Sequence, residues 1–106
     1  MPKYLIQGSY TTEGIKGVLK EGGSGRKAAV ESAVKAMGGK LEAFYFTFGA
    51  EDVVAIVDSP DNVTAAAFSM GVAATGTVRT QTTVILTPEE IDQAAKKTIA
   101  FRAAGR

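Results

Sequence analysis

The chain has 106 residues, 45% of them hydrophobic and 22% charged, with a formal net charge of +1. That is room for one domain, residues 1–106, with a modest core, and no charge excess draws it toward nucleic acid or a lipid surface. Cysteine and histidine are absent, which excludes disulfides, thiolate or imidazole zinc sites, Cys-His and Ser-His-Asp catalysis, and haem ligation by His or Cys, leaving only Tyr and Met as axial ligands.

The N-terminal stretch KYLIQGSY alternates: Tyr4, Ile6 and Gly8 fall on one side, Lys3, Leu5, Gln7 and Ser9 on the other. That is the period of a strand. TTEGIKGVLKEGG changes to helical spacing, with Ile15, Val18 and Leu19 as its stripe, a cap at Thr11 or Thr12 and a stop at Gly22 and Gly23. RKAAVESAVKAMGG is a second helical piece, with Ala29, Val30, Ala33, Val34 and Met37 on one side. KLEAFYFTFG is an aromatic strand with Phe44, Phe46 and Phe48 on one face, and AED is a turn.

DVVAIVDSP is apolar on both faces and ends at Pro60. Asp61 caps a helix over NVTAAAFSMGVAATG, TVRTQTTVILT is a threonine-rich strand, and TPEEIDQAAKKTIAF is a last helix with Thr87 as its cap and Pro88 at its first position. The order β-α-β-β-α-β plus a C-terminal helix predicts an α+β fold of the ferredoxin-like, split-βαβ type, with one antiparallel sheet and its crossover helices on one face. No apolar run approaches the ~20 residues that span a bilayer, and MPKYLIQGSY lacks a basic region followed by a long apolar stretch. The expected location is the cytoplasm, with no membrane partner.

With Phe44, Phe46 and Phe48 under the helices, the other face of the sheet is expected to carry Leu41, Ala43, Tyr45 and Thr47; Val53, Ala55 and Val57; Leu5, Gln7 and Ser9; and Arg79, Gln81, Thr83 and Ile85. Val78, Val84 and Leu86 then belong to the core. The centre of this open face, with Ala55 in its middle, is too apolar for water, so a second copy packed sheet to sheet is the expected partner. Gln7, Tyr45, Arg79 and Gln81 would line a small space there as candidate ligand-binding residues. Arg79 calls for a carboxylate, Asp52 or Glu42 from the same or the paired chain, or for the acidic end of a ligand. Alternatively these polar groups are only the rim of a dimer.

GGSGRK departs from the P-loop pattern, because Gly25 is followed by Arg26 and Lys27 with no Ser or Thr, and because it follows a helix and not a strand. The favoured reading is a hinge between two helical pieces. Ser24, Gly25, Arg26 and Lys27 form a secondary candidate anion site, with Ser24 as N-cap. Glu51 and Asp52 are adjacent in a turn and point apart, and Asp61 is better spent as a cap than paired with Asp58. No metal site and no cofactor is called for.

The runs MPKYLIQGSYTTEGIKGVLKEGGSGR, GGKLEAFYFTFGAEDVVAIVDSPD and VRTQTTVILTPEEID resemble the GYD-domain family of small bacterial proteins. The Gly-Tyr-Asp signature falls on Gly49, Ala50, Glu51 and Asp52, where Gly49 and Asp52 fit and Glu51 stands at the tyrosine position. The resemblance implies kinship with dimeric α/β barrels, a group that includes cofactor-free oxygenases, isomerases and haem-handling enzymes. Three functions follow as expectations: a homodimeric binding module for a small apolar or aromatic ligand at the open sheet face, a cofactor-free isomerase or oxygenase, or a purely structural assembly protein.

Overall fold

In the computed structural model, which describes residues 1–106, the alternating stretch Lys3–Tyr10 is strand β1, and it lies inside the sheet between two antiparallel neighbours. Helix α1, Thr12–Ala36, follows; the Thr11 hydroxyl accepts the Gly14 N–H at 3.3 Å to cap it. Strands β2 (Lys40–Phe46) and β3 (Val53–Asp58), helix α2 (Asn62–Ala74), strand β4 (Val78–Ile85) and helix α3 (Pro88–Ala95) complete the chain. The sheet order is β2-β3-β1-β4, every pair antiparallel. This is an α+β fold with the ferredoxin-like arrangement, α1 and α2 covering one face.

The caps at Thr11, Asp61 and Thr87 are those the sequence points to. The Asp61 carboxylate accepts the Thr64 N–H at 2.7 Å, and this hydrogen bond from the backbone holds its pKa below the usual carboxylate value. Thr87 and Glu90 form a reciprocal capping box, with Pro88 at the first helical position. The last helix stops at Ala95, short of the expected Phe101.

The hinge in GGSGRK is real. Gly22 alone leaves helical geometry, at φ 79° and ψ 167°, a conformation that favours glycine. Ser24 is therefore inside the second helical piece, and Gly22 takes the position expected of Ser24. Gly14 meets a different demand: a Cβ there would lie 1.9 Å from the Thr77 carbonyl oxygen, so only glycine lets α1 start this close to β4.

The face assignment needs correction at β2 and β3. Phe44 and Phe46 do face the helices, but Val53, Ala55 and Val57 face them too, opposite Phe46, Phe44 and Leu41. Leu41, Val57 and Ala55 pack with Val34 of α1 as the core, against Ile6, Val30, Met37 and Phe68. Two features produce the change. The six residues Thr47–Asp52 join the strands, closed by the Thr47 N–H to the Asp52 carbonyl at 2.8 Å, so Phe46 falls opposite Val53. A bulge between Leu41 and Ala43 then resets the alternation, bringing Leu41 to the same side as Phe44. Phe48, expected in the core, lies beyond β2 and is fully exposed. Val84 and Leu86 are also more than half exposed.

The open face therefore carries Leu5, Gln7 and Ser9 of β1, Val54 and Ile56 of β3, Ala43 and Tyr45 of β2, and Arg79, Gln81, Thr83 and Ile85 of β4. At one end Lys3 bridges Glu42 at 2.7 Å and Asp58 at 2.9 Å, and these hydrogen bonds, Glu42 first, raise the lysine pKa.

Two adjacent residues test this register. Ala55→Asp puts an unpaired carboxylate among Val34, Leu41 and Val57 and is expected to cost about 3–5 kcal/mol, the penalty for an uncompensated buried charge, abolishing cooperative melting by circular dichroism. Val54→Asp points to the other face and should keep the folded spectrum. Equal behaviour of the two variants would contradict the register.

Candidate functional site

The side of the sheet under the helices is not completely filled. A cavity of about 190 Å³ lies between it and the helices. Its floor is sheet: Ile6 of β1, Phe44 of β2, Val53, Ala55 and Val57 of β3, and Val78 and Thr80 of β4. These residues share one face because directly paired residues of antiparallel strands point the same way. Its roof is Val30 from the second piece of α1, with Phe68 and Val72 of α2, one turn apart.

One end is polar. Tyr10, Arg26, Thr75 and Thr77 close it. Tyr10 reaches the cavity as the last residue of the β1 face that carries Tyr4, Ile6 and Gly8. Its backbone N–H donates to the Asp52 carboxylate at 2.9 Å, which anchors the strand end. Partial burial pushes the Tyr10 phenol pKa up, and the nearby Arg26 charge only partly offsets this. The phenol therefore stays neutral at physiological pH and keeps a proton to donate. Arg26 donates to Glu21 across the Gly22 bend at 2.9 Å. Tyr10 and Arg26 are the only titratable side chains in the lining. The arrangement suits an apolar body with an oxygen at one end; it contains no paired nucleophile and base.

The structure separates the sequence-derived candidates into two groups. Tyr45, Gln7 and Gln81 lie in one row across the open face, Gln7 opposite Gln81 on one side and linked through Val54 to Tyr45 on the other. Arg79 is in the next row, opposite Ser9. Arg79 is exposed and forms no ion pair within the chain. The two same-chain carboxylates considered for it are engaged elsewhere, Glu42 with Lys3 and Asp52 with the Tyr10 N–H. In the glycine loop, Ser24 and Lys27 are exposed, while Arg26 turns to Glu21 and to the cavity.

Sequence reasoning missed Tyr10, Thr75, Thr77 and Thr80. A usable signal existed for Tyr10, since the alternation Tyr4, Ile6, Gly8 extends to it. The signature turn has a structural role: the Ser9 hydroxyl donates to Glu51 at 3.0 Å, and the Asp52 N–H donates to the Gly8 carbonyl at 2.8 Å. Glu51, at the signature tyrosine position, thus ties the turn to the end of β1.

The raised Tyr10 pKa has a measurable consequence. Its folded value lies above the unfolded one, so the neutral phenol's contribution to stability is present below pH ~10 and is lost as pH rises through the folded value. Ultraviolet titration of the folded protein should show a phenolate component appearing later than an ordinary tyrosine, and Tyr10→Phe should remove that component alone.

The family model described as GYD domain matches residues 4–95. No curated protein and no solved structure matches the chain. The match spans β1 through α3 and includes the turn in which Asp52 anchors Tyr10, so the chain belongs to the GYD-domain family.

Proposed function

We propose that this protein is a binding module for a small, largely apolar molecule, seated between helices and sheet. The observation that carries the reading is the apolar cavity of about 190 Å³ with Tyr10 and Arg26 at one end. Dry apolar cavities of about 150 Å³ take up benzene, so this space matches a single substituted ring or a short branched chain. Few convergent polar groups on an apolar lining are what small-molecule sites have in common. The neutral Tyr10 hydroxyl and the Arg26 guanidinium would orient a carbonyl, phenol or carboxylate oxygen.

A second reading places the ligand on the open face, between two copies paired sheet to sheet. The row Tyr45, Val54, Gln7 and Gln81, with Arg79 beside it, supports this reading. The face is half apolar, with Leu5, Val54 and Ile56 partly exposed and no element of the chain over them.

Native mass spectrometry of freshly purified protein, with thermal melting in millimolar benzoate as a defined probe, tests both. The parent protein should carry a retained small molecule or melt higher with benzoate; a ligand at 100 times its Kd adds about 2.7 kcal/mol. Val72→Phe fills the cavity and should abolish either response, while Arg79→Ala with Gln81→Ala should leave it intact. The reverse pattern moves the ligand to the open face. Empty protein in every preparation, with no benzoate response, contradicts binding, and turnover of a retained compound turns the reading toward a cofactor-free enzyme.

A further inference from the structure

The isolated chain exposes more surface than its size accounts for. Its accessible area is 7445 Å², whereas a folded monomeric protein of 11.0 kDa has about 5,600 Å². Its radius of gyration is 16.9 Å, against about 13 Å for a globular domain of this length. The excess area, about 1,800 Å², is in the range that each partner contributes to an obligate homodimer.

Two features stand out on this surface. The first is the C-terminal arm. Every residue from Pro88 to Arg106 is exposed, Ile99 at 77% and Phe101 at 86%. The arm begins as a defined element, because the capping box and Pro88 fix the start of α3. A helix of eight residues is nevertheless marginal alone in water. Its apolar positions Ile91, Ala94 and Ala95 fall on one side at helical spacing and meet no cover.

The second feature is the groove between α2 and β4. Helix α2 has no charged residue, yet its outer stripe is solvent-facing, with Met70 72% exposed. A helix without a polar face belongs under a partner. Two shallow hollows flank Met70, one reaching Arg79 and the other Val84. Strand β4 is also a sheet edge, unprotected by proline or lysine. The charges are complementary: Arg79 at one end of the groove has no ionic partner, and neither do Glu89, Glu90 and Asp92 of α3.

We propose that the C-terminal arm of one copy, Pro88–Phe101, docks in the α2–β4 groove of a second copy, with the exchange reciprocal. The acidic start of α3 lies toward Arg79, and Ile99 and Phe101 cover Met70 and Val84. This surface adjoins the open sheet face at Arg79 and shares Val78 and Thr80 with the cavity lining, but docking of the arm needs no ligand at either place, so the inference does not rest on the proposed function.

The chain has no native cysteine, which makes a cross-linking test clean. Met70→Cys and Ile99→Cys chains, prepared separately, mixed and treated with a short bismaleimide, should give a covalent dimer that neither gives alone. In sedimentation the parent should be a dimer, and Ile99→Asp with Phe101→Asp should raise its dissociation constant by about 100-fold. Both substituted side chains are exposed in the single chain, so the circular dichroism spectrum should not change. A monomeric parent overturns the proposal. So does an arm variant that dimerises as tightly as the parent, or a chain carrying both cysteines that links within itself, which would mean that the arm folds back on its own groove.

Discussion

The pairing of Leu41 with Val57 governs the rest of the molecule. One residue further along β2 the bulge intervenes, and the ladder resumes with Ala43 opposite Ile56 and Phe44 opposite Ala55. Leu41 and Phe44 thereby face the helices together, and β3 presents Val53, Ala55 and Val57 on that same side. Full burial of a side chain such as Val57 contributes about 1.5–3 kcal/mol. A slip of one residue would turn Val54, Ile56 and Asp58 inward instead. Asp58 opposes that slip, because burying it would remove it from Lys3 and from water. The Lys3, Glu42 and Asp58 cluster, in which Glu42 is exposed and Asp58 largely covered, thus helps to specify which face is outside.

The same register creates the cavity. Helix α1 is held near both ends, at Gly14 against the carbonyl of Thr77 just before β4 and at Val34 in the core. Between these points the chain bends at Gly22, and Gly23 comes against the Phe46 ring. Arg26 and Val30 follow the bend, and the space beneath them is not filled by side chains. The bend that reads as punctuation in the sequence therefore also sets the polar end of the cavity, since it brings Arg26 to Glu21 and to the neighbourhood of Tyr10.

Size limits what this architecture can do alone. Only 10 of 106 residues are buried, so a large share of the apolar side chains stays in contact with water. In a small domain the surface grows relative to the core, and association is a common remedy. Here the uncovered apolar surface is organised: a chargeless helix beside an edge strand, a half-apolar sheet face and a projecting arm. None of these surfaces has a cover inside the same chain.

The sequence by itself determined the order of the elements and the caps at Thr11, Asp61 and Thr87, though not where α3 ends. Those depend on interactions within a few residues: alternation along β1, the Thr11, Asp61 and Thr87 side chains on nearby N–H groups, and the glycine that permits the bend. It also placed Gln7, Tyr45, Arg79 and Gln81 on a common face, because β1, β2 after the bulge and β4 alternate clearly. Only the tertiary structure decided the parity of β3, since a strand apolar on both sides carries no mark of which side is inward; that information sits in the length of the Thr47–Asp52 turn and in the bulge of a neighbouring strand. The cavity was likewise beyond local reading. Tyr10, Arg26 and Thr75 come from three elements, and their convergence is a property of how the helices cross the sheet, which no spacing along the chain records.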